Sequence, residues 1–298
     1  MTSFVSKTTS AARNFVRVDA LLSAGFTKSF EFFPPKSDDE ALVLERTLVD
    51  LEPLRPSFVS VTYRGGPQSR QRTFDLVRTI QSQRRLTAMA HLICVGHSEM
   101  ELREILTNYV DNGVENLMAL GGDIPDDPSL VPADFHYALE LVQLAREFGS
   151  FSIGVAAHPS GHPRSRDRRS DRQFLAQKLA VADFAVTQFF FRAGEWVTLV
   201  GELAELGNSK PILPGVIPVT TLSGVARMAQ MGGPVPPELA SRLEHAHVVG
   251  GPGAVRAEGI AAATEMCREL IDQGAPGLHF YTLNRSTATR EIYERLFP

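Results

Sequence analysis

Eight short apolar segments alternate with helical patterns along this chain of 298 residues, and the alternation constrains the fold more than any other feature. Most of these segments are nearly continuous apolar runs, the pattern of parallel strands that are covered on both faces. Strands that alternate with helices form parallel sheets, so the pattern predicts an α/β protein. The segments span 27–33, 58–63, 87–94, 116–121, 151–158, 184–190, 212–217 and 278–283.

Helical patterns fill the intervals between the segments. The clearest spans 38–51, where acidic residues occupy the first turn and apolar residues recur at helical spacing. Two other patterns end at Gly113 and Gly149, residues that suit helix C-caps. Further helices are predicted over 11–22, 173–181, 196–206 and 257–272, and an insertion with a short helix at 237–245 is predicted over 232–253.

Eight strand–helix repeats in a chain of this length favour a closed (β/α)8 barrel over an open sheet. No G-x-G-x-x-G follows the first strand, which weakens the dinucleotide-binding alternative. No linker or low-complexity segment divides the sequence. We therefore predict one (β/α)8 TIM barrel domain over 1–298, in which 1–26 form an N-terminal extension and helix.

Composition excludes several classes of function. The net charge of -4 and the pI of about 6.1 do not suit a nucleic-acid-binding protein. No apolar run approaches the roughly 20 residues of a membrane helix, and the N-terminus lacks the apolar segment of a signal peptide. The two cysteines, Cys94 and Cys267, form neither a zinc pattern nor a disulfide framework. These features predict a cytoplasmic protein with small-molecule partners, and they leave its oligomeric state open.

A glutamate interrupts the first apolar segment, within Phe30-Glu31-Phe32-Phe33-Pro34-Pro35. Desolvation by the phenylalanines disfavours the charged carboxylate, a property that suits a general acid. The two prolines end the strand, so Glu31 is predicted to lie near its carboxyl end. A glutamate on the solvated face of an edge strand is an equally good explanation of these six residues.

Polar residues occur at every predicted strand end, where barrels of this kind carry their active sites. Each has a simple alternative explanation, since Asp123 could cap a turn and His91 could be a core histidine. Gln188 is harder to explain, because a buried amide requires hydrogen-bond partners. Their convergence on one rim favours a functional site formed by Glu31, Thr62, Tyr63, His91, Asp123, His158, Gln188, Thr220, Asn284 and Arg285.

Five short motifs occur in order along the chain: FEFFPP at 30–35, FVSVTY at 58–63, ALGGD at 119–123, TQFFF at 187–191 and FYTLNR at 280–285. Together they resemble the methylenetetrahydrofolate reductase family, and the resemblance covers the chain from residue 27 to its end. It implies a (β/α)8 barrel that reduces 5,10-methylenetetrahydrofolate to 5-methyltetrahydrofolate, usually with hydride passing from NAD(P)H through bound FAD.

The resemblance also implies roles for individual residues. Glu31 is implied to be the general acid that protonates the departing nitrogen when the substrate's five-membered ring opens. Asp123 and Arg285 are implied to bind the folate, and Gln188 to lie between folate and nicotinamide and so to contact both. The implied cofactor-binding positions are Thr62, His91, His158, His162 and Lys178.

The chain departs from the family pattern at flavin positions. Gly121-Gly122-Asp123 replaces Arg-Gly-Asp, and His158 replaces a tyrosine. The acid, pterin and nicotinamide positions are retained, so we predict direct hydride transfer from NADH or NADPH with weak or absent FAD binding. Two alternatives stay open: an ordinary FAD-dependent reductase with rearranged contacts, and a folate-binding barrel without turnover, against which the retained Glu31 argues.

A basic cluster follows the fifth predicted strand, from Arg164 to Arg172. It is either a solvated loop and helix start or a patch that binds dinucleotide phosphates. His158 and His162 have the i, i+4 spacing of a metal pair, but Pro159 and Gly161 interrupt the helix that such ligation needs, so no metal site is predicted. A Schiff-base lyase is also disfavoured, because the only lysine within a predicted strand, Lys28, lies at its amino end.

Overall fold

The strands are short and regularly spaced along the chain. The computed structural model describes residues 16–63, 67–123, 134–149 and 151–298. The strands within them are β1 Thr27–Phe32, β2 Phe58–Val61, β3 Ala88–Ile93, β4 Asn116–Leu120, β5 Ser152–Ala157, β6 Phe184–Thr187, β7 Ile212–Leu213, β8 Gly215–Val216 and β9 Gly277–Tyr281. All neighbouring strands are parallel, in the order β7-β6-β5-β4-β3-β2-β1-β9-β8.

One predicted strand, 212–217, closes the barrel by pairing on both sides. It is divided at Pro214 into β7, which pairs with β6, and β8, which pairs with β9. Proline has no backbone donor and so interrupts the ladder there, although its carbonyl still accepts the His279 N–H at 3.0 Å. Since β7 and β8 occupy one position between them, the predicted eight-membered α/β barrel is confirmed.

The helices pack outside the strands. Residues 11–15 of the predicted N-terminal helix lie outside the described residues, and α3, α8 and α10 were not predicted. Within the described ranges, no helix is long and apolar enough to cross a membrane. The helices are α1 Val18–Ala24, α2 Asp38–Leu51, α3 Pro67–Thr79, α4 Glu99–Asp111, α5 Ala138–Glu147, α6 Arg168–Val181, α7 Ala193–Glu205, α8 Leu222–Gln230, α9 Pro237–Asp272 and α10 Thr287–Leu296.

The predicted insertion at 232–253 is wrong in part, because helix α9 occupies most of it. The helix starts at Pro237 and continues to Asp272 through a kink at Gly250 and Gly251. Gly251 has a φ of 65°, a left-handed conformation that favours glycine, and Pro252 suits the first turn of the second half. The glycines that resemble a loop in sequence therefore mark a bend between two helical segments.

Alternation along the strands separates an outer core from the barrel interior. In β1, Phe30 and Phe32 pack outward against the helices, whereas Ser29 and Glu31 project into the barrel. Near the amino ends of the strands the interior is apolar, and α1 packs against it through Val18 and Leu22. The Val18 N–H of α1 donates to Asn116 Oδ1 at 2.7 Å, at the amino end of β4. Glu31 therefore lies above this layer, toward the carboxyl ends of the strands.

The contact between α9 and the loop after β8 depends on a glycine. A Cβ at Gly259 would lie 1.8 Å from the Val219 carbonyl oxygen, whereas a Cβ at Gly253 of the same helix meets nothing within 4 Å. We expect Gly259→Ala to lower the free energy of unfolding by about 1–3 kcal/mol, because backbone must move. Gly253→Ala should be neutral or stabilise by up to about 1 kcal/mol. Urea denaturation measures both, and equal effects would contradict the prediction.

Candidate active site

Glu31 lies inside the barrel, next to the carboxyl end of β1. In the sheet register it faces Ser60 of β2 and Tyr281 of β9. Its backbone carbonyl accepts a hydrogen bond from Thr282 Oγ1 at 2.6 Å, which fixes this part of the strand. The residue is only 7% exposed, so the alternative of a solvated edge-strand glutamate is wrong.

Three polar side chains surround one oxygen of the Glu31 carboxyl group. Its Oε2 lies 3.5 Å from Ser60 Oγ, 3.5 Å from His91 Nε2 and 3.6 Å from His279 Nε2. None of these contacts involves Oε1. Burial lowers the pKa of His91, although the neighbouring Glu31 opposes that shift, so the His91 imidazole is neutral at pH 7. The structure thus brings His91, a predicted cofactor-binding residue, against the predicted acid.

His279 and Tyr281 belong to this site, although sequence reasoning did not single them out. The signal was the alternation of β9, in which Leu278 and Phe280 join the outer core while His279 and Tyr281 lie inside. Burial, and secondarily the charge of Glu31, raises the pKa of Tyr281 well above its ordinary value. Its hydroxyl therefore stays protonated and donates to the Thr187 carbonyl at 2.7 Å.

Thr62 follows β2 on the same rim, next to Glu31's strand. Its N–H donates to the Phe32 carbonyl at 3.0 Å, and its own carbonyl accepts from Thr73 Oγ1 at 2.8 Å. The Thr62 hydroxyl is buried and has no hydrogen-bond partner among the described residues. A buried hydroxyl without a partner is costly, so Thr62 Oγ1 is a candidate contact for a bound molecule.

A second group forms after β5, where His158, His162 and Lys178 lie together. The two imidazole rings are 4.6 Å apart, and Lys178 Nζ donates to the Ala156 carbonyl at 2.7 Å. Burial, then His162 and Lys178, lowers the pKa of His158 to about 4, and burial lowers that of Lys178 to about 8. Burial and Arg164 lower the pKa of His162. At pH 7 the positive charge of this group therefore lies on Lys178, and the neighbouring Arg164 adds a second one.

The basic cluster contains residues with different surroundings. Arg172 is 3% exposed and donates to the carbonyls of His158 at 3.0 Å and Pro159 at 2.5 Å. It also pairs with Asp171 and with Glu202. Arg172 therefore holds the loop after β5 against α6 and does not face solvent.

The other arginines of the cluster are more exposed than Arg172, although Arg168 shares its partner Glu202. Arg168 pairs with Glu202 at 2.9 Å, and Arg166, whose side chain is 88% exposed, pairs with Asp167 at 3.1 Å. Arg164 instead reaches the turn after β4, where its Nη2 lies 3.8 Å from the position that a Cβ of Gly121 would occupy. The cluster is therefore neither a solvated loop nor a phosphate-binding patch as a whole. Arg166 is solvated, Arg172 is structural, and Arg164 faces the candidate site.

Gln188 lies just beyond β6, which ends at Thr187 and not at 190 as predicted, and the residue is half-buried, where the sequence predicted a buried amide. Its amide is satisfied by backbone groups. Its Nε2 donates to the Met231 carbonyl at 3.0 Å, and its Oε1 accepts the Phe189 N–H at 3.1 Å. The residue lines a cavity of about 240 Å³ that extends from His158 to the loop at 232–237. The structure thus connects Gln188 to the group after β5 through an open space.

Two further predicted residues lie at the outer edge of the rim. Arg285 is exposed and follows a turn in which Leu283 and Asn284 have φ values of 52° and 55°. The Asn284 side chain fixes that turn by bonding both the N–H and the carbonyl of Phe33, at 2.8 and 2.9 Å. Asp123 is exposed at the turn after β4, and its carboxylate partly opposes the lowered pKa of His162.

The arrangement combines a buried carboxyl group, a rim of hydrogen-bonding side chains and a separate positive region. A buried carboxyl group that has Ser60, His91 and His279 around one oxygen can donate a proton to a substrate through the other oxygen. Lys178 and Arg164 can attract an anion. The described residues contain no group of three or more histidine, cysteine, aspartate or glutamate side chains that could hold a metal ion.

Sequence comparison identifies relatives along nearly the whole chain. A family model described as methylenetetrahydrofolate reductase matches residues 17–297. A 5,10-methylenetetrahydrofolate reductase of Pectobacterium carotovorum is 33% identical over 278 residues, which are 93% of this chain and 92% of that protein. The Escherichia coli enzyme of the same name is 33% identical over 270 residues, 90% of each chain. Methylenetetrahydrofolate reductase 2 of Saccharomyces cerevisiae is 34% identical over 91% of this chain and 47% of its own length.

Solved structures share the barrel at much lower identity. A protein from Clostridium thermocellum, described as binding two copies of 5-methyl-5,6,7,8-tetrahydrofolic acid, has a TM-score of 0.68. It is 12% identical and covers 94% of this chain and 96% of its own. Dihydropteroate synthase from Xanthomonas albilineans has a TM-score of 0.50 at 15% identity, over 91% of this chain and 92% of its own. At these identities the similarity establishes the fold only.

Proposed function

Because the chain belongs to the methylenetetrahydrofolate reductase family, we propose that it reduces 5,10-methylenetetrahydrofolate with hydride taken directly from NADH or NADPH. In this proposal Glu31 supplies the proton. The family relationship supports the folate substrate, and the resemblance of the site residues supports the nicotinamide donor. The single observation that carries the acid assignment is the buried Glu31 carboxyl group, held at Oε2 by three polar neighbours.

The reaction requires one proton and one hydride. Glu31 donates a proton to the nitrogen that departs from the methylene carbon, the C–N bond breaks, and an iminium ion forms at the remaining nitrogen. Hydride from the nicotinamide then adds to the iminium carbon and produces the methyl group. The nicotinamide becomes oxidised, and Glu31 becomes a carboxylate that must regain a proton before the next turnover.

Three rim residues are proposed to bind the folate. Asp123, as a carboxylate, would hydrogen-bond the guanidine-like edge of the pterin and stabilise the cationic iminium. Gln188 would lie between the folate and the nicotinamide, at the cavity that it lines. Arg285 is exposed at the rim and would pair with the carboxylates of the folate's glutamate tail.

The positive region after β5 suits the phosphates of a dinucleotide. Lys178 and Arg164 would provide the charge, and the Thr62 hydroxyl, buried without a hydrogen-bond partner among the described residues, would provide a further contact. His91, His158 and His162 are proposed to line the same dinucleotide site, where their neutral imidazoles would supply hydrogen bonds rather than charge.

The turn after β4 does not fit a flavin as the family pattern would have it. Residue 121 is glycine, so this position offers no side chain to grip the cofactor, and Arg164 Nη2 lies 3.8 Å from where a Cβ of Gly121 would be. This observation favours direct transfer, in which folate and NADH are bound together. An FAD-dependent reductase is the second candidate, because Thr62 and His91 match positions that line the flavin and nicotinamide region in the family and Lys178 is retained.

One set of measurements separates the two candidates. We expect the purified protein to lack the visible absorption of a flavin and to oxidise NADH with methylenetetrahydrofolate at a rate unchanged by added FAD. Double-reciprocal plots should intersect, because both substrates occupy one ternary complex. A stoichiometric yellow protein with parallel plots and FAD-dependent activity would contradict direct transfer.

Arg164→Gln tests the dinucleotide site. We expect it to raise the KM for NADH about tenfold and to change kcat little, because one charge-assisted contact to phosphate is worth about 1.5–3 kcal/mol. Arg166→Gln is the matched control, since Arg166 lies in the same loop but is exposed and pairs with Asp167. Steady-state kinetics measure both variants, and equal effects on KM would contradict a specific role for Arg164.

A further inference from the structure

His279 is a buried histidine whose two ring nitrogens both face polar atoms. The residue is 1% exposed and lies inside the barrel on β9. Its Nδ1 is 2.8 Å from Ser29 Oγ, and its Nε2 is 3.4 Å from Ser60 Oγ and 3.6 Å from Glu31 Oε2. Apolar packing alone does not require a residue with this pattern of contacts.

Aromatic neighbours hold the imidazole in this orientation. The ring stacks on Phe58 with centroids 6.1 Å apart and an interplanar angle of 18°. Tyr281 packs edge-on at 5.4 Å and 89°, and its hydroxyl is bonded to the Thr187 carbonyl. Rotation of the His279 ring would disrupt these contacts, so Nε2 is directed at Glu31 by packing on two sides.

The Ser29 hydroxyl can hydrogen-bond either tautomer of the His279 ring. This hydroxyl lies 3.3 Å from the Leu278 carbonyl as well as 2.8 Å from His279 Nδ1. When Ser29 donates to the carbonyl, Nδ1–H donates to Ser29 and Nε2 is an acceptor. When Ser29 donates to Nδ1, Nε2–H becomes a donor toward Glu31. His279 can therefore accept from Glu31 as a carboxylic acid in one tautomer and donate to it as a carboxylate in the other.

We propose that His279, held by Ser29, is a positioning residue that fixes Glu31 Oε2 and leaves Oε1 for proton delivery to the substrate. The inference rests on the proposed role of Glu31 as the acid. The present separation of 3.6 Å is long for a hydrogen bond, and such contacts commonly tighten when substrate binds. The other groups that face the carboxyl group are Ser60, His91 and Tyr281.

His279→Asn tests the proposal, because the shorter amide can retain the Ser29 contact but withdraws the group that faces Glu31. We expect kcat to fall roughly 10²-fold, with KM values changed less than about twofold. The pH at which kcat falls to half its plateau should move upward by roughly one unit, since the carboxylate loses a donor that stabilises it. His279→Gln, whose amide reaches further, should recover part of both changes.

Three comparisons make the result decisive. Glu31→Gln must lose folate reduction; if it does not, the proposed acid is wrong independently of His279. His97→Asn replaces another buried histidine, which pairs with Tyr63 at 2.8 Å, and should leave the pH midpoint unchanged. Ser29→Ala retains the imidazole and should move the midpoint in the same direction but less. If a His279 variant melts like the wild type and keeps the wild-type kcat and pH midpoint, the proposal is overturned. If neither His279 variant folds, the same result in Ser29→Ala overturns it.

Discussion

Glu31→Gln is expected to lower kcat for methylenetetrahydrofolate reduction by about 10²–10⁴-fold, the range that a positioned acid contributes. Glutamine has nearly the same shape and can keep a polar contact with Ser60, His91 and His279, so the barrel should remain intact. It carries no proton that it can release to the departing nitrogen. The dissociation constant for NADH should change less than about twofold, because the loss affects the transition state and not cofactor binding.

The measurement is a single-turnover assay of NADH oxidation, with NADH binding followed separately by fluorescence. Glu31→Asp is the matched control: it retains an acid but withdraws it by one methylene group, so its activity should lie between those of wild type and Glu31→Gln. Full activity of Glu31→Gln would refute the assignment. Tight NADH binding together with lost reduction would also exclude general misfolding as the cause.

Arg172→Met is expected to lower the free energy of unfolding by about 3–5 kcal/mol, the typical result of removing one partner of a buried ion pair. Asp171, itself 6% exposed, would lose its buried cationic partner. The Pro159 carbonyl would lose its Arg172 donor, and the His158 carbonyl would keep only the Gly161 N–H at 3.0 Å. Since these carbonyls belong to the loop of the proposed dinucleotide site, the KM for NADH should rise at temperatures where the variant is folded.

Arg168→Met provides the comparison for Arg172→Met. Both arginines lie on α6 and pair with Glu202, but the Arg168 side chain is 48% exposed. An exposed pair contributes about 1 kcal/mol or less, so Arg168→Met should have a small effect. Urea denaturation followed by circular dichroism measures both variants. Similar losses in the two would contradict the structural role assigned to Arg172.

The strand positions and the rim could be predicted from local sequence patterns. Buried parallel strands are continuous apolar runs, and the polar residues Glu31, Thr62 and Gln188 interrupt or follow such runs where a strand ends. Helices were predicted less completely. The amphipathic pattern of α3 is weak, because most of its residues are polar or charged, and the glycines within α9 resemble a loop.

The roles of the arginines from 164 to 172 could not be separated in sequence. They have the same charge and lie close together, so composition gives one description for all of them. The fold buries Arg172 beneath the loop after β5, leaves Arg166 in solvent and directs Arg164 toward Gly121. The direction of a side chain on a turn or first helical residue depends on what packs around it, and that is decided by distant segments.

The sequence by itself determined the parallel barrel, the rim on which Glu31 lies and the membership of the family, because each depends on local patterns or on short motifs in order. Only the tertiary structure decided what surrounds the acid. Ser29 and His279 are 250 positions apart in the chain and meet because β1 pairs with β9 when the barrel closes. Alternation shows that a residue faces inward, but the register between strands determines which inward residues share a level. The group around Glu31 Oε2 is therefore a product of barrel closure.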